Sequence, residues 1–243
     1  MKFFSTFIIF VLIILLLIIG VNYLVPKHKK AGESLLNDPI TTKAEIIKGQ
    51  RQSNDKYSWQ YGYTIQIKNQ KMIISAAINL VPALGIKAPC LNQVKKAWEK
   101  GIEEIWSHQF AITLPSGQKI PIVVDAIFRG PKYHHDIIVR PGKGRSDQLN
   151  WNITDTPVTA AHEFGHILGI YDEYEKGAVK SNSPSIDPTS IMTSNPVTGM
   201  VYERHFTDFL EWFKLKTNIQ AAFLSSLNTE KTSSVSGKNE DKI

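Results

Sequence analysis

The chain has 243 residues, 42% of them hydrophobic, and a single cysteine. That length allows one catalytic-sized domain with appendages, and one cysteine rules out an intrachain disulfide framework. The formal charge is +6, but three of the positive residues, Lys27, Lys29 and Lys30, flank an apolar run, and basic and aromatic residues are not interleaved as on nucleic-acid-binding surfaces, so no nucleic-acid partner is expected.

In chain order, the run from Phe7 to Val21 is apolar apart from Gly20, and the wider stretch Phe3–Val25 contains only Ser5, Thr6 and Asn22 as polar residues. This is long enough for a transmembrane helix. Gly20-Val21-Asn22-Tyr23 is a poor cleavage site, so residues 1–26 are read as an uncleaved transmembrane anchor, with a signal segment as the alternative. Residues 27–58 are mixed and polar and read as a linker or stalk. Tyr61–Ile67 and part of Met72–Leu80 alternate apolar and polar residues, which predicts strands. Cys90 reads as a half-buried structural residue. Leu91, Val94, Trp98, Ile102 and Ile105 recur at helical spacing and predict a helix over about 91–107. Strand candidates follow at Phe110–Leu114, Lys119–Phe128 and Asp136–Arg140. Adjacent residues on a strand point to opposite faces, so His134 and His135 do not read as a shared metal site; their segment is expected near a sheet edge. Residues 225–243 are rich in Ser, Lys, Asn and Glu and read as a disordered tail.

Residues 162–172, HEFGHILGIYD, carry the chemistry. On a helix, His162 and His166 lie about 40° apart on one face, where two imidazoles can bind one borderline-soft ion, most often zinc. Glu163 stands beside them as a carboxylate able to take a proton from water on the metal. Gly169 lets the chain leave the helix with positive φ, and Asp172 can return as third ligand. Asp155 or Thr156 can cap the helix, and Pro157 suits its first position. Ala160, Ala161, Phe164, Ile167 and Leu168 form an apolar stripe opposite the histidines. A helix whose histidines merely hydrogen-bond explains neither Glu163 nor the Gly-x-x-Asp extension.

The motif resembles that of metzincin zinc endopeptidases. Ser190-Ile191-Met192-Thr193 is similar to their Met-turn, which implies that Met192 forms an apolar floor under the ligands. Asp172 stands where most metzincins carry His, as in the snapalysin-like branch, and this leaves Glu173 and His205 open as alternative ligands. Two residues beyond the Met, where some metzincins have tyrosine, this chain has Ser194. Trp151, Tyr171 and Tyr174 are candidates for shaping substrate pockets.

The resemblance spans about 60–220. It implies an α/β (α+β) zincin with a mixed twisted sheet, an active-site helix and a C-terminal helix around Phe206–Phe213, in a domain at 59–224 after one transmembrane helix. The implied activity is hydrolysis of protein or peptide substrates with one zinc per chain and Glu163 as general base. The alternatives are a catalytically silent membrane-tethered binding module and a non-peptidase metallohydrolase. Lys2 before the span and three lysines after it place the domain in the cytosol by the positive-inside rule. The resemblance implies a surface or secreted enzyme, and we take the extracytoplasmic side, with secretion as the alternative.

Overall fold

The computed structural model describes residues 39–53, 56–130, 132–196 and 199–227. The apolar run at 1–26, the first part of the expected stalk and nearly all of the expected tail lie outside these residues. Among the described residues, no helix is long and apolar enough to cross a membrane.

Among the described residues the fold is a curled mixed sheet with three α-helices. The strands are β1 (Glu45–Ser53), β2 (Tyr57–Lys68), β3 (Lys71–Pro82), β4 (Phe110–Thr113), β5 (Lys119–Ile127), β6 (His135–Arg140), β7 (Asn150–Asn152) and β8 (Phe223–Ser226); the helices are α1 (Ala88–Trp106), α2 (Pro157–Ile167) and α3 (Thr207–Thr217). The main order is β1-β2-β3-β5-β4-β8, with β6 on β3 and β7 on β6. β3 is the pivot. Met72–Ala77 pair in parallel with Ile122–Ile127 of β5, and Ile78–Pro82 pair in parallel with His135–Val139 of β6. Met72, Ile74 and Ala76 align with Ile122, Val124 and Ala126, and β3 runs buried at Met72, Ile74, Ala76 and Ile78.

Two expectations are corrected here. Residues 45–58 are not a linker: β1 pairs with β2 antiparallel from Glu45↔Ile65 to Ser53↔Tyr57. The inward positions of β1 are Glu45, Ile47, Gly49, Arg51 and Ser53, a period-two pattern without apolar alternation, held instead by polar contacts. Glu45 Oε2 accepts from Trp212 Nε1 at 3.1 Å and lies 2.9 Å from Lys216 Nζ. The domain also runs past 224, because β8 reaches Ser226 and pairs with β4.

β6 is not a free edge, since it pairs with β3 and, through its last three residues, with β7. His134 and His135 splice it in: His134 Nδ1 accepts from Ala77 N at 2.8 Å, and His135 Nε2 lies 3.0 Å from the Gly62 carbonyl. Cys90 is exposed in the first turn of α1 rather than half-buried.

Under the sheet, α1 lies against α2. Trp98 Nε1 donates to the Asp155 carbonyl and Trp106 Nε1 to the Ala161 carbonyl, both at 2.9 Å. Trp98, Trp106, Trp151, Phe164, Phe206, Phe209 and Phe213 are the largest fully buried side chains. Trp151 therefore belongs to the core, with its ring edge-on to Trp98 and Phe128.

Candidate metal centre

α2 begins as its sequence predicts. Thr156 Oγ1 accepts from Thr159 N at 3.1 Å, and Pro157 occupies the first turn. The helix ends in a Schellman arrangement: Ile170 N donates to Gly165 O and Gly169 N to His166 O, each at 2.9 Å. Gly169 has φ of +84°, a conformation that costs an L-residue with a Cβ about 1–2 kcal/mol.

This reversal brings Asp172 back to the histidines. His162 Nε2 and His166 Nε2 lie 3.4 and 3.3 Å from Asp172 Oδ1. One ligand atom from each of the three residues falls within 4.8 Å of the others, and all three residues are buried. Each imidazole is oriented from behind: His162 Nδ1 lies 2.8 Å from the Ile191 carbonyl, and His166 Nδ1 lies 2.9 Å from the Ile170 carbonyl. A carbonyl only accepts, so each Nδ1 carries the proton, and in the neutral ring each Nε2 presents a lone pair to the centre. Asp172 Oδ2 accepts from Ala178 N at 2.6 Å, whereas the buried Oδ1 has no hydrogen-bond donor. Burial pushes the Asp172 carboxyl up, whereas imidazoles protonated at Nε2 and donating toward it hold it well below the usual carboxylate range.

With the rings neutral, two imidazole lone pairs and a carboxylate oxygen, all acceptors, converge in this buried site. A proton on Nε2 or a metal cation between the three groups relieves that arrangement. The donor set, two nitrogens and one carboxylate oxygen, fits zinc and related divalent ions and leaves a coordination position open. The residues present can therefore hold a metal ion.

Glu163 lies beside this cluster. It is buried, its Oε2 has no partner, and burial pushes the carboxyl up to about 7 against the pull of His162.

Met192 is fully buried beneath α2. A Cβ on Gly165 would lie 2.4 Å from Met192 Sδ, so the missing side chain there is what lets the methionine approach the helix between the two histidines. Residues 190–193 form a turn tied to two parts of the cluster. Ile191 supplies the carbonyl behind His162, and the Met192 carbonyl accepts from Glu173 N at 2.9 Å.

Glu173 and His205, the alternative ligands, are buried but stand outside the cluster, paired with each other and with Arg204. Arg204 Nε and Nη2 donate to the two Glu173 oxygens at 2.6 and 2.7 Å, and Arg204 Nη2 also reaches Asp187 Oδ2 at 2.7 Å. His205 Nε2 lies 3.3 Å from Glu173 Oε1, and its Nδ1 accepts from Tyr202 N at 3.1 Å. This clamp closes the loop between Asp172 and Met192 onto the 3-10 turn Glu203–Phe206 that leads into α3.

Tyr174 accepts from Arg145 Nη2 at 2.7 Å. Burial and the nearby Asp172 charge raise its phenol to about 12, so it is protonated at neutral pH. Tyr171 stacks edge-on against Trp59, and Trp59 in turn against the His166 ring.

Sequence reasoning did not single out Arg204, Arg51, Trp59 or Arg145. The hydrogen-bond partners of their side chains lie 17 to 157 residues away, and no local pattern announces contacts of that range. Comparison of the chain with protein-family models, curated proteins and solved structures gives no match.

Proposed function

We propose that this chain is a zinc-dependent endopeptidase of metzincin type, held to a membrane by its N-terminal apolar run with the catalytic domain on the extracytoplasmic side. The observation that carries the reading is the convergence of His162, His166 and Asp172 with the unpartnered, buried carboxyl of Glu163 beside them. When bound, the metal supplies Lewis-acid polarisation of a water molecule and of the substrate carbonyl.

The chain's own residues do the rest. His162, His166 and Asp172 hold the ion, the Ile191 and Ile170 carbonyls fix the imidazole orientations, and Met192 packs beneath. Glu163, poised near neutrality, takes a proton from the attacking water and returns it to the leaving amine. The burial that raises its pKa also keeps bulk water from competing for that proton. No covalent enzyme intermediate is required, so no Ser or Cys nucleophile is called for.

The test is Glu163→Ala in the full chain, assayed on casein and a peptide library with and without phenanthroline. Wild type should bind one zinc per chain and cleave in a chelator-sensitive way. The variant should keep the zinc and the fold while losing at least the roughly 10²–10⁴-fold typical of a general acid–base group. A variant as active as wild type removes Glu163 from the mechanism. A wild-type chain that takes up no transition metal removes the reading altogether.

A further inference from the structure

The β1–β2 hairpin belongs to the metal centre rather than to a tether in front of it. It lies over the segment joining the second histidine to the aspartate. Trp59 Nε1 donates to the His166 carbonyl at 2.9 Å, and Arg51 Nε donates to the Gly169 carbonyl at 2.8 Å. Ser53 Oγ donates to the Val179 carbonyl at 2.6 Å, one residue beyond the amide that holds Asp172 Oδ2.

Rings complete the clasp. Trp59 sits 5.4 Å from the His166 ring and 5.2 Å from the Tyr171 ring, and the Arg51 guanidinium lies 4.8 Å from the Tyr61 ring centre and 5.6 Å from that of Tyr171. Arg51 also pairs with Asp208 at the start of α3.

The places these donors reach are specific. His166 O, which already accepts from Gly169 N at the helix end, takes a second hydrogen bond from Trp59. Gly169 O belongs to the residue that reverses the chain. Directly after Gly169, Ile170 O orients the His166 ring through Nδ1. The hairpin thus holds the turn at His166 and Gly169, immediately before the carbonyl that aims a ligand and the exit that delivers Asp172.

We infer that Arg51 and Trp59 are positioning residues of the metal centre, fixing the His166–Asp172 turn so that His166 Nε2 and Asp172 Oδ1 face one another before the ion arrives. The inference rests on the metal-site reading above. It predicts that affinity for the ion depends on a hairpin that supplies no ligand.

The experiment uses the full chain and four variants. Trp59→Phe keeps an aromatic ring and removes the N–H. Arg51→Met keeps the stem and removes the donors, and Arg51→Lys restores one donor. Ile47→Ala weakens β1 packing without touching the turn. Zinc affinity is read by chelator competition, ligand geometry by the visible spectrum of the cobalt(II)-loaded protein, and fold by the melting temperature of the metal-free protein.

Trp59→Phe and Arg51→Met should lose roughly 10- to 100-fold in zinc affinity, the usual effect of removing an outer partner of a ligand, and should alter the cobalt spectrum. Arg51→Lys should recover part of the loss. Ile47→Ala should melt earlier and keep both affinity and spectrum. Wild-type affinity and spectrum in Trp59→Phe and Arg51→Met overturn the inference while leaving the metal site standing. The same follows if affinity simply tracks melting temperature across all four variants. A wild-type chain that binds neither ion overturns the metal-site reading, and this inference with it.

Discussion

Arg204→Ala should cost about 3 kcal/mol of stability, through the charge it leaves behind rather than the bonds it removes. Glu173 is 6% exposed at its side chain and Arg204 38%. Breaking a buried ion pair by removing one partner costs about 3–5 kcal/mol. The half-open arginine position lets water partly replace the guanidinium, which puts this pair at the lower end. Against a typical total of about 5–15 kcal/mol the effect is large, and it lowers the melting temperature by roughly 6–12 °C in a domain of this size.

The pH dependence has a definite sign. Burial pushes the Glu173 carboxyl up, but the hydrogen bonds from Arg204, His205 and Ser190 outweigh it and hold the group well below the usual range. A folded pKa below the unfolded value of about 4.3 means stability that is present above pH 4.3 and lost as pH falls through the folded pKa. Urea unfolding of metal-free wild type and Arg204→Ala, compared from pH 7 downward, should therefore show a gap that narrows as the medium becomes more acidic. Glu173→Gln combined with Arg204→Ala should recover part of the loss, because a neutral amide leaves no buried charge. A loss below 1 kcal/mol at pH 7, or a double variant no more stable than Arg204→Ala alone, would refute the reasoning.

Asp172→Ala should weaken zinc binding and Asp172→His should recover part of it, while Glu173→Gln and His205→Ala retain the ion; zinc titration of the four variants reverses the ligand assignment if Asp172→Ala binds as wild type. Gly165→Ala sets a helix-propensity gain of about 1 kcal/mol against an overpacking cost of about 1–3 kcal/mol, since the new Cβ meets Met192 Sδ at 2.4 Å and Trp106 Cζ2 at 3.2 Å. Net destabilisation is expected in calorimetry, and a more stable variant would contradict the packing of Met192 against α2. The intact chain should resist carbonate extraction from membranes; a mature N-terminus near residues 23–30 would show a cleaved signal instead, and protection of the domain from protease added to intact cells would place it in the cytosol.

What could be read from the sequence divides along a physical line. α2 was legible to its cap because everything that shapes it is local: Thr156, Pro157, the apolar stripe and Gly169. α1 and strands β2 to β6 were legible because their buried faces repeat apolar residues at helical or alternating spacing. β1 was not, because its inward face is Glu45, Gly49, Arg51 and Ser53 around a single Ile47, and a polar strand satisfied by distant partners looks like a linker. β7 and β8 are too short to show a period. At the site, His162, Glu163, His166 and Asp172 sit in one window and could be read as a group. The pairing of Glu173 and His205 with Arg204 depends on where the chain folds back, and until then a carboxylate and an imidazole near a motif look like ligands.

The hairpin's grip on the ligand turn also sets a timetable for synthesis. Its bonds span 107, 118 and 126 residues, and such separations slow folding because loop closure is spent before any contact is gained. At translation rates of about 5–20 residues per second, the hairpin waits roughly 6 to 24 s for its partner segment to be made. During that interval β3 and then β5 extend the sheet, but Trp59 and Arg51 still lack the carbonyls they bind. The nascent chain is then most exposed to aggregation and most in need of a chaperone. The candidate metal centre therefore takes its final form only after the segment around His166–Val179 has been made.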